Sequence, residues 1–281
     1  MSTAPLANRY QVLGTLGEGA MGRVNRVVDL TTGRVVAMKV LTLPAGQAAE
    51  RRAALLRFKQ EFRLMTQVRH PRCCQVYEFG LLPDGRPFFT MELVEGQGLD
   101  EVLPLPQARV RTLLAEILLG LDAVHALGMV HRDLKAANVR IGTDGQAKLM
   151  DFGLMEVAGQ AGGTIAGTLA YLAPEVVKRG PVDRRADLYS VGALAFELLT
   201  GRAPFVSAQP MEVLRAHVTT APPRPSSLMT IEPGLEAIVM KLLEKEPLDR
   251  YQSAYEVLED LGVEVPAGIG GNLLTSPMMG R

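Results

Sequence analysis

Asp133, Lys135 and Asn138 lie in the run His131-Arg132-Asp133-Leu134-Lys135-Ala136-Ala137-Asn138, and Asp151-Phe152-Gly153 begins thirteen residues after Asn138. These residue types suit one chemistry in particular. A carboxylate such as Asp133 can orient a hydroxyl and accept its proton. Asn138 and Asp151 are hard oxygen donors fitted to Mg²⁺, which keeps several waters and borrows phosphate oxygens. Lys135, two residues past Asp133, brings an ammonium within reach of a phosphate. An oriented hydroxyl, a divalent metal and charge neutralisation are what phosphoryl transfer asks of a protein. The two segments match the spacings H-R-D-x-x-x-x-N and D-F-G. Either alone fits an ordinary charged surface loop. In order, with strand-like Gln146-Ala147-Lys148-Leu149-Met150 between them, they are specific.

The elements that must position these residues are also readable. Tyr10-Gln11-Val12-Leu13 and Arg23-Val24-Asn25-Arg26-Val27-Val28 read as strands flanking Gly17-Glu18-Gly19-Ala20-Met21-Gly22. A G-x-G-x-x-G that opens a helix suggests a dinucleotide site. Here Val24 and further apolar residues continue a strand, so the glycines form a flap whose N–H groups close over phosphates. Val35-Val36-Ala37-Met38-Lys39-Val40 puts a lysine inside an apolar strand. That is costly unless the charge is paired. Ala48 to Val68 reads as a helix, with Leu55, Phe58, Phe62 and Met65 at helical spacing. Glu61 on it is the expected partner of Lys39, with Glu50 the lesser alternative. Cys73, Cys74, Val76 and Tyr77 read as the next strand, followed by a hairpin turn at Asp84-Gly85. Phe88 to Val94 is the last strand of this half, and both cysteines read as core.

With these motifs in this order the chain resembles the eukaryotic-type protein kinases, and more narrowly their bacterial Ser/Thr members, over about Asn8 to Leu261. The resemblance implies an α+β, bilobal fold. An N-lobe of antiparallel sheet plus one helix spans 8–94 and binds ATP. A mainly α-helical C-lobe spans 95–261 and carries the catalytic loop, activation segment and substrate-docking surface. The implied activity is transfer of the ATP γ-phosphate to protein Ser/Thr hydroxyls, with Asp133 as base, Lys135 on the γ-phosphate and autophosphorylation. A lysine at position 135 is typical of Ser/Thr rather than Tyr kinases.

The resemblance also assigns sites. Lys39 and Glu61 form the ion pair, and Asn138 and Asp151 hold Mg²⁺, with Mn²⁺ as a substitute. The nucleotide pocket takes in Leu16, Gly17, Glu18, Gly19, Ala20, Met21, Gly22, Val24, Ala37, Met91, Glu92, Val94 and Arg140. Met91 is the gatekeeper, and the Glu92 carbonyl and Val94 backbone bond adenine. Arg140 stands where an apolar side chain usually underlies adenine, so its stem is expected as the floor with the guanidinium outside. Gly167-Thr168 and Tyr171 match the docking stretch, with Thr168 bridging Asp133 and Lys135. Asp187 is expected to brace the catalytic loop, and Glu175 of Ala173-Pro174-Glu175 to pair with Arg250.

Between Asp151 and Glu175 there is no serine, and the hydroxyls are Thr164, Thr168 and Tyr171. Arg132 beside Asp133 invites a phosphate on this segment. With Thr168 and Tyr171 needed unmodified, Thr164 is the candidate for trans-autophosphorylation in a transient homodimer.

Composition limits the remaining classes. The 281 residues carry 30 Lys+Arg and 30 Asp+Glu, net +0. This balance argues against a general nucleic-acid binder or a polybasic membrane binder. Two adjacent cysteines give neither a disulfide framework nor a C-x-x-C metal pattern. Leu113 to Val130 is the most apolar long segment, but Glu116, Asp122 and His125 break it, so it reads as a buried helix. Met1 to Asn8 lacks the apolar core of a signal peptide. A cytoplasmic protein that acts on protein substrates is the expectation. Residues 262–281 are Gly-rich and aperiodic and read as a flexible tail. The alternative reading is a pseudokinase scaffold that binds partners with or without nucleotide. The presence of Lys39, Glu61, Asp133, Asn138 and Asp151 together disfavours it.

Overall fold

A computed structural model describes residues 6–19, 22–42, 48–151, 156–157 and 169–263. The N-terminal part is a five-stranded antiparallel sheet. Its strands are β1 (Tyr10–Gly19), β2 (Gly22–Asp29), β3 (Val35–Leu41), β4 (Val76–Leu81) and β5 (Pro87–Met91), in the order β1-β2-β3-β5-β4. Helix α1 (Ala48–Met65) connects β3 to β4. The apolar run of β3 is buried from Val36 onward because the strand lies between β2 and β5. Phe58 and Phe62 of α1 stack near Phe79 and Phe89 of the sheet, with ring centroids 5.0–6.1 Å apart. Phe58 and Phe89 are buried, and each contributes about 1.5–3 kcal/mol by leaving water.

Strand β4 starts at Val76, not at Cys73. The backbone of 72–74 has other partners: Cys74 N–H donates to Leu149 O at 2.8 Å, and Leu149 N–H to Arg72 O at 2.8 Å. Cys73 and Cys74 are buried, and burial pushes both thiols up to about 12. They are packing residues.

The C-terminal part begins with β6 (Gly96–Gly98) and helix α2 (Gln107–His125). The short strands β7 (Met129–Val130), β8 (Val139–Gly142), β9 (Ala147–Leu149) and β10 (Glu156–Val157) follow, paired as β6-β8-β9 and β10-β7. The remaining helices are α3 (Pro174–Val177), α4 (Arg184–Thr200), α5 (Pro210–Thr219), α6 (Pro233–Leu242) and α7 (Ala254–Asp260). Helix α4 is the axis of this half: thirteen of its residues are buried, including Leu188, Leu194, Phe196 and Leu198. A helix apolar on every side is stable only inside a core. Asp183 caps it by accepting from Arg185 N–H, and Gly201 ends it at φ 74°.

Helix α2 runs unbroken through Gly120 and packs on α4 and α7. A Cβ at Gly120 would stand 3.1 Å from Arg72 O, so the glycine lets the 72–74 crossing lie against the helix. Among the described residues no helix is long and apolar enough to cross a membrane.

Candidate active site

A cleft of about 480 Å³ separates the sheet from the helical half. Leu16, Gly17, Val24, Ala37 and Lys39 line it from the sheet; Ala137, Asn138, Arg140, Met150 and Asp151 line it from below. Met91, Glu92, Leu93 and Val94 form its back. Gly22 must be glycine: at φ 148°, a Cβ would fall 2.1 Å from Val40 O.

Lys39 sits mid-strand on β3, and its Nζ donates to Glu61 Oε1 at 2.7 Å and to Asp151 Oδ1 at 3.1 Å. Glu50, in the first turn of α1, is exposed. Burial works against the Lys39 charge, but Asp151 and Glu61 outweigh it and hold the ammonium above its ordinary value. Two carboxylates share this one cation and repel each other. Burial, reinforced by Asp151, pushes the deeper Glu61 up to about 7 against the pull of Lys39.

Across the cleft, Asp133 Oδ2 accepts from Lys135 Nζ at 2.8 Å and from Asn138 Nδ2 at 2.9 Å. Nδ2 also donates to Asp133 O at 2.8 Å. The amide nitrogen of Asn138 is thus committed to Asp133, which leaves its oxygen as the atom to ligate a cation. Among the described residues no three His, Cys, Asp or Glu side chains form a metal cage. Two oxygen donors, Asn138 and Asp151, suit Mg²⁺ bound together with phosphate and water.

The backbone of this loop is held from beneath. Asp187, fully buried on α4, accepts from His131 N–H and Arg132 N–H, both at 2.8 Å, and contacts His125 Nε2 at 2.8 Å. Burial opposes the Asp187 charge, but His125 and these N–H donors outweigh it and keep the carboxylate below its ordinary range. Arg132 takes φ 66°, a left-handed conformation that non-glycine residues hold only when surroundings enforce it. Glu175 and Arg250 meet in a bidentate pair at 2.8 and 2.8 Å. Arg250 also donates to the carbonyls of Glu244, Arg185 and Lys245, so the buried cation is fully bonded.

Arg140 lines the cleft, and its guanidinium is bonded at the edge: Nε donates to Val94 O at 3.1 Å and Nη2, at an exposed position, to Gly96 O at 2.5 Å. Glu18 pairs with Arg23 at 2.9 Å on the exposed flap. Ala20, Met21, Phe152, Gly153, Thr164 and Thr168 lie outside the described residues, as do residues 264–281 of the expected tail.

Some cleft residues escaped the sequence reading. Glu101, Met65, Phe89 and Leu93 line the cleft. His125 had registered only as a break in an apolar run, and Tyr171 donates its hydroxyl to Glu197. Helical spacing from Phe62 predicts Met65 facing the same way as the core. His125 and Glu197 carry no local signal.

The family profile described as the protein kinase domain matches residues 10–261. A probable serine/threonine-protein kinase of Streptomyces coelicolor is 39% identical over 271 residues, covering 91% of this chain and 40% of that protein. The serine/threonine-protein kinase pkn2 of Myxococcus xanthus is 38% identical over 276 residues, 91% of this chain and 32% of that protein. The serine/threonine-protein kinase PknL of Mycobacterium tuberculosis is 37% identical over 271 residues, 93% of this chain and 67% of that protein. The chain therefore spans between about a third and two thirds of the length of these relatives.

Proposed function

The chain belongs to the protein kinase domain family, and on that premise we propose that it transfers the γ-phosphate of ATP to Ser or Thr hydroxyls of proteins. The supporting observation is a pair of clusters that meet at one cleft: Lys39 and Glu61 above, bonded to Asp151 below, and Asp133–Lys135–Asn138, which reaches the cleft through Asn138. The serine/threonine kinase names of the relatives agree with it.

In this reading Glu61 holds Lys39 toward the α- and β-phosphates of ATP. Asn138 and Asp151 hold Mg²⁺, which when bound neutralises charge on the phosphates. Asp133 orients the acceptor hydroxyl and takes its proton. Lys135, already bonded to Asp133, steadies the γ-phosphate and keeps the carboxylate aimed. Asp187 fixes the loop backbone so that these groups need not reorganise during the reaction. Met91, Glu92 and Val94 receive the base. Thr164 is the proposed autophosphorylation site, reached in trans by a second copy of the chain, and Arg132 is the cation that meets the new phosphate.

Incubation with labelled ATP-Mg²⁺ and a generic basic protein tests the proposal. Wild-type protein labels the acceptor, and Asp133→Asn and Lys39→Met each lose on the order of 10² or more in rate while folding normally. Wild-type turnover in Asp133→Asn would sink the mechanism. Binding of ATP-Mg²⁺ by wild-type protein with no transfer would favour the scaffold reading. Phosphopeptide mapping of the same reaction reports Thr164; label confined to other sites removes it.

A further inference from the structure

Away from the cleft, a cavity of about 370 Å³ opens between the end of α2, β7, the start of α4 and the loop at Gln252. His125, Met129, Asp183, Arg184, Arg185 and Gln252 line it. We infer that this cavity binds a small oxyanion that keeps an acidic proton, with hydrogen phosphate as the type. Charge is the first reason. Two guanidiniums and one carboxylate line the cavity. Asp183 is matched by Arg185: its Oδ1 accepts from Arg185 N–H at 2.9 Å and from Nε at 3.0 Å, and its Oδ2 from Nη2 at 2.6 Å. Arg185 Nη1 goes on to Gln252 Oε1 at 3.0 Å. Arg184 forms no ion pair among the described residues. Its Nε donates to Gln252 O at 2.6 Å, and its two terminal nitrogens donate to no described residue. One positive charge is therefore in surplus, with a planar fork of donors, beside the positive end of α4. An anion of the phosphate type matches both.

His125 supplies the second reason. Its side chain is only 5% exposed, and its Nε2 contacts Asp187 Oδ2 at 2.8 Å. The Asp187 carboxylate, held ionised, can only accept, so the imidazole proton sits on Nε2 and Nδ1 carries a lone pair. Asp187 is wholly buried and does not line the cavity. The ring thus meets the cavity by its other edge, where Nδ1 is the polar atom. Nδ1 is buried and has no hydrogen-bond partner. A buried acceptor left unmet is destabilising, and a ligand that donates to it removes the penalty. The ligand must then be an anion for Arg184 and a donor for Nδ1. Hydrogen phosphate is both. Sulfate has the same charge and shape at neutral pH but no O–H, so it would set lone pair against lone pair. A ligand here lies one imidazole away from Asp187, whose carboxylate holds the His131 and Arg132 N–H groups.

Calorimetric titration of the full chain with inorganic phosphate and with sulfate, at neutral pH and fixed ionic strength, tests the inference. Phosphate should bind about tenfold more tightly than sulfate. Arg184→Gln should weaken phosphate binding about tenfold. Phosphate, and not sulfate, should also shift the Nδ1 resonance of His125, assigned by its loss in His125→Gln. The titration should be the same with ATP-Mg²⁺ present, because the cavity lies apart from the cleft. Phosphate that ATP-Mg²⁺ displaces is bound in the cleft, and that result overturns the inference. Equal affinities for the two anions overturn it as well, as do an unchanged affinity in Arg184→Gln and an absence of phosphate binding. Should Arg184→Gln fail to fold, the comparison of anions and the His125 resonance still decide.

Discussion

Asp187 and His217 are both wholly buried ionisable residues, and they illustrate opposite solutions. Asp187 stays charged because two backbone N–H groups and His125 bond it. His217 stays neutral. It packs edge-on to Phe205 and Tyr189, contacts the Tyr189 hydroxyl at 2.9 Å, and lies near the Lys245 cation. Burial, helped by Lys245, pushes its pKa down to about 4. The unfolded chain, with an ordinary imidazole, then binds more protons between that value and about 6.5. Stability from this group is present above pH 6.5 and is lost as pH falls toward 4. By pH 5 the loss comes to about 2 kcal/mol. Urea midpoints at pH 7 and pH 5 check it: His217→Gln should lose about 2 kcal/mol less than wild-type protein over this interval. An equal loss in both proteins refutes it.

At the scale of elements, the helices α4 and α6 carry glycines of two kinds. Gly192 faces α6, and a Cβ there would stand 2.7 Å from Leu242 Cβ. Helix propensity alone favours alanine by about 1 kcal/mol, whereas forcing two packed helices apart costs about 1–3 kcal/mol. Packing wins, so Gly192→Ala should destabilise. Gly234, exposed near the start of α6, has no neighbour nearer than 3.7 Å to such a Cβ. Gly234→Ala should stabilise by up to about 1 kcal/mol. Opposite shifts in urea midpoint are the expected result, and shifts of the same sign would contradict it.

The elements also show what sequence reveals and what it hides. Asp133, Lys135 and Asn138 were readable because they share one short loop, so their spacing is nearly their geometry. Glu61 was readable because helical periodicity says which face of α1 meets the sheet. The start of β4 was not readable. Cys73 and Cys74 have strand-like apolar character, and only the position of Leu149 shows that their backbone pairs elsewhere. Arg140 was legible as an oddity but not in its destination. Its side chain is long, and the carbonyls it found are 46 and 44 residues away. His125 meets Asp187 across 62 residues, a distance over which spacing carries no information.

At the scale of the whole molecule, the groups proposed to hold ATP and Mg²⁺ come from both halves. A ligand that bridges them stabilises the folded protein in proportion to its affinity, by about 2.7 kcal/mol at a hundred times its Kd. Wild-type protein should therefore melt higher with ATP-Mg²⁺ than with ATP alone. Asp151→Ala should lose the metal-dependent part of that rise, and Asn138→Ala a smaller share. Calorimetric titration gives the same comparison without heating. Full affinity for ATP-Mg²⁺ in Asp151→Ala would remove Asp151 from the metal site.

The chain passes from one half to the other at 92–96, and the segment 72–75 that leads into β4 rests on the helical half; both meet the sheet at one row of its register. Val76 pairs with Met91, and Met91 with Ala37. Both segments are tied down below, one to Leu149 and α2, the other by Arg140 of β8 and by Thr143 just beyond it. Two anchored points define an axle along that row. The sheet can tip about the axle but can neither slide nor twist without breaking those ties. Gly22 pairs with Leu41, four rows beyond Ala37 and so about 13 Å from the axle, while Lys39 is two rows away at about 7 Å. A tilt of about 10° would lift the glycine flap by about 2 Å and Lys39 by about half as much. The lever arm would grade such a tilt: the glycine flap would move most, Lys39 about half as far, and the row of Met91 least.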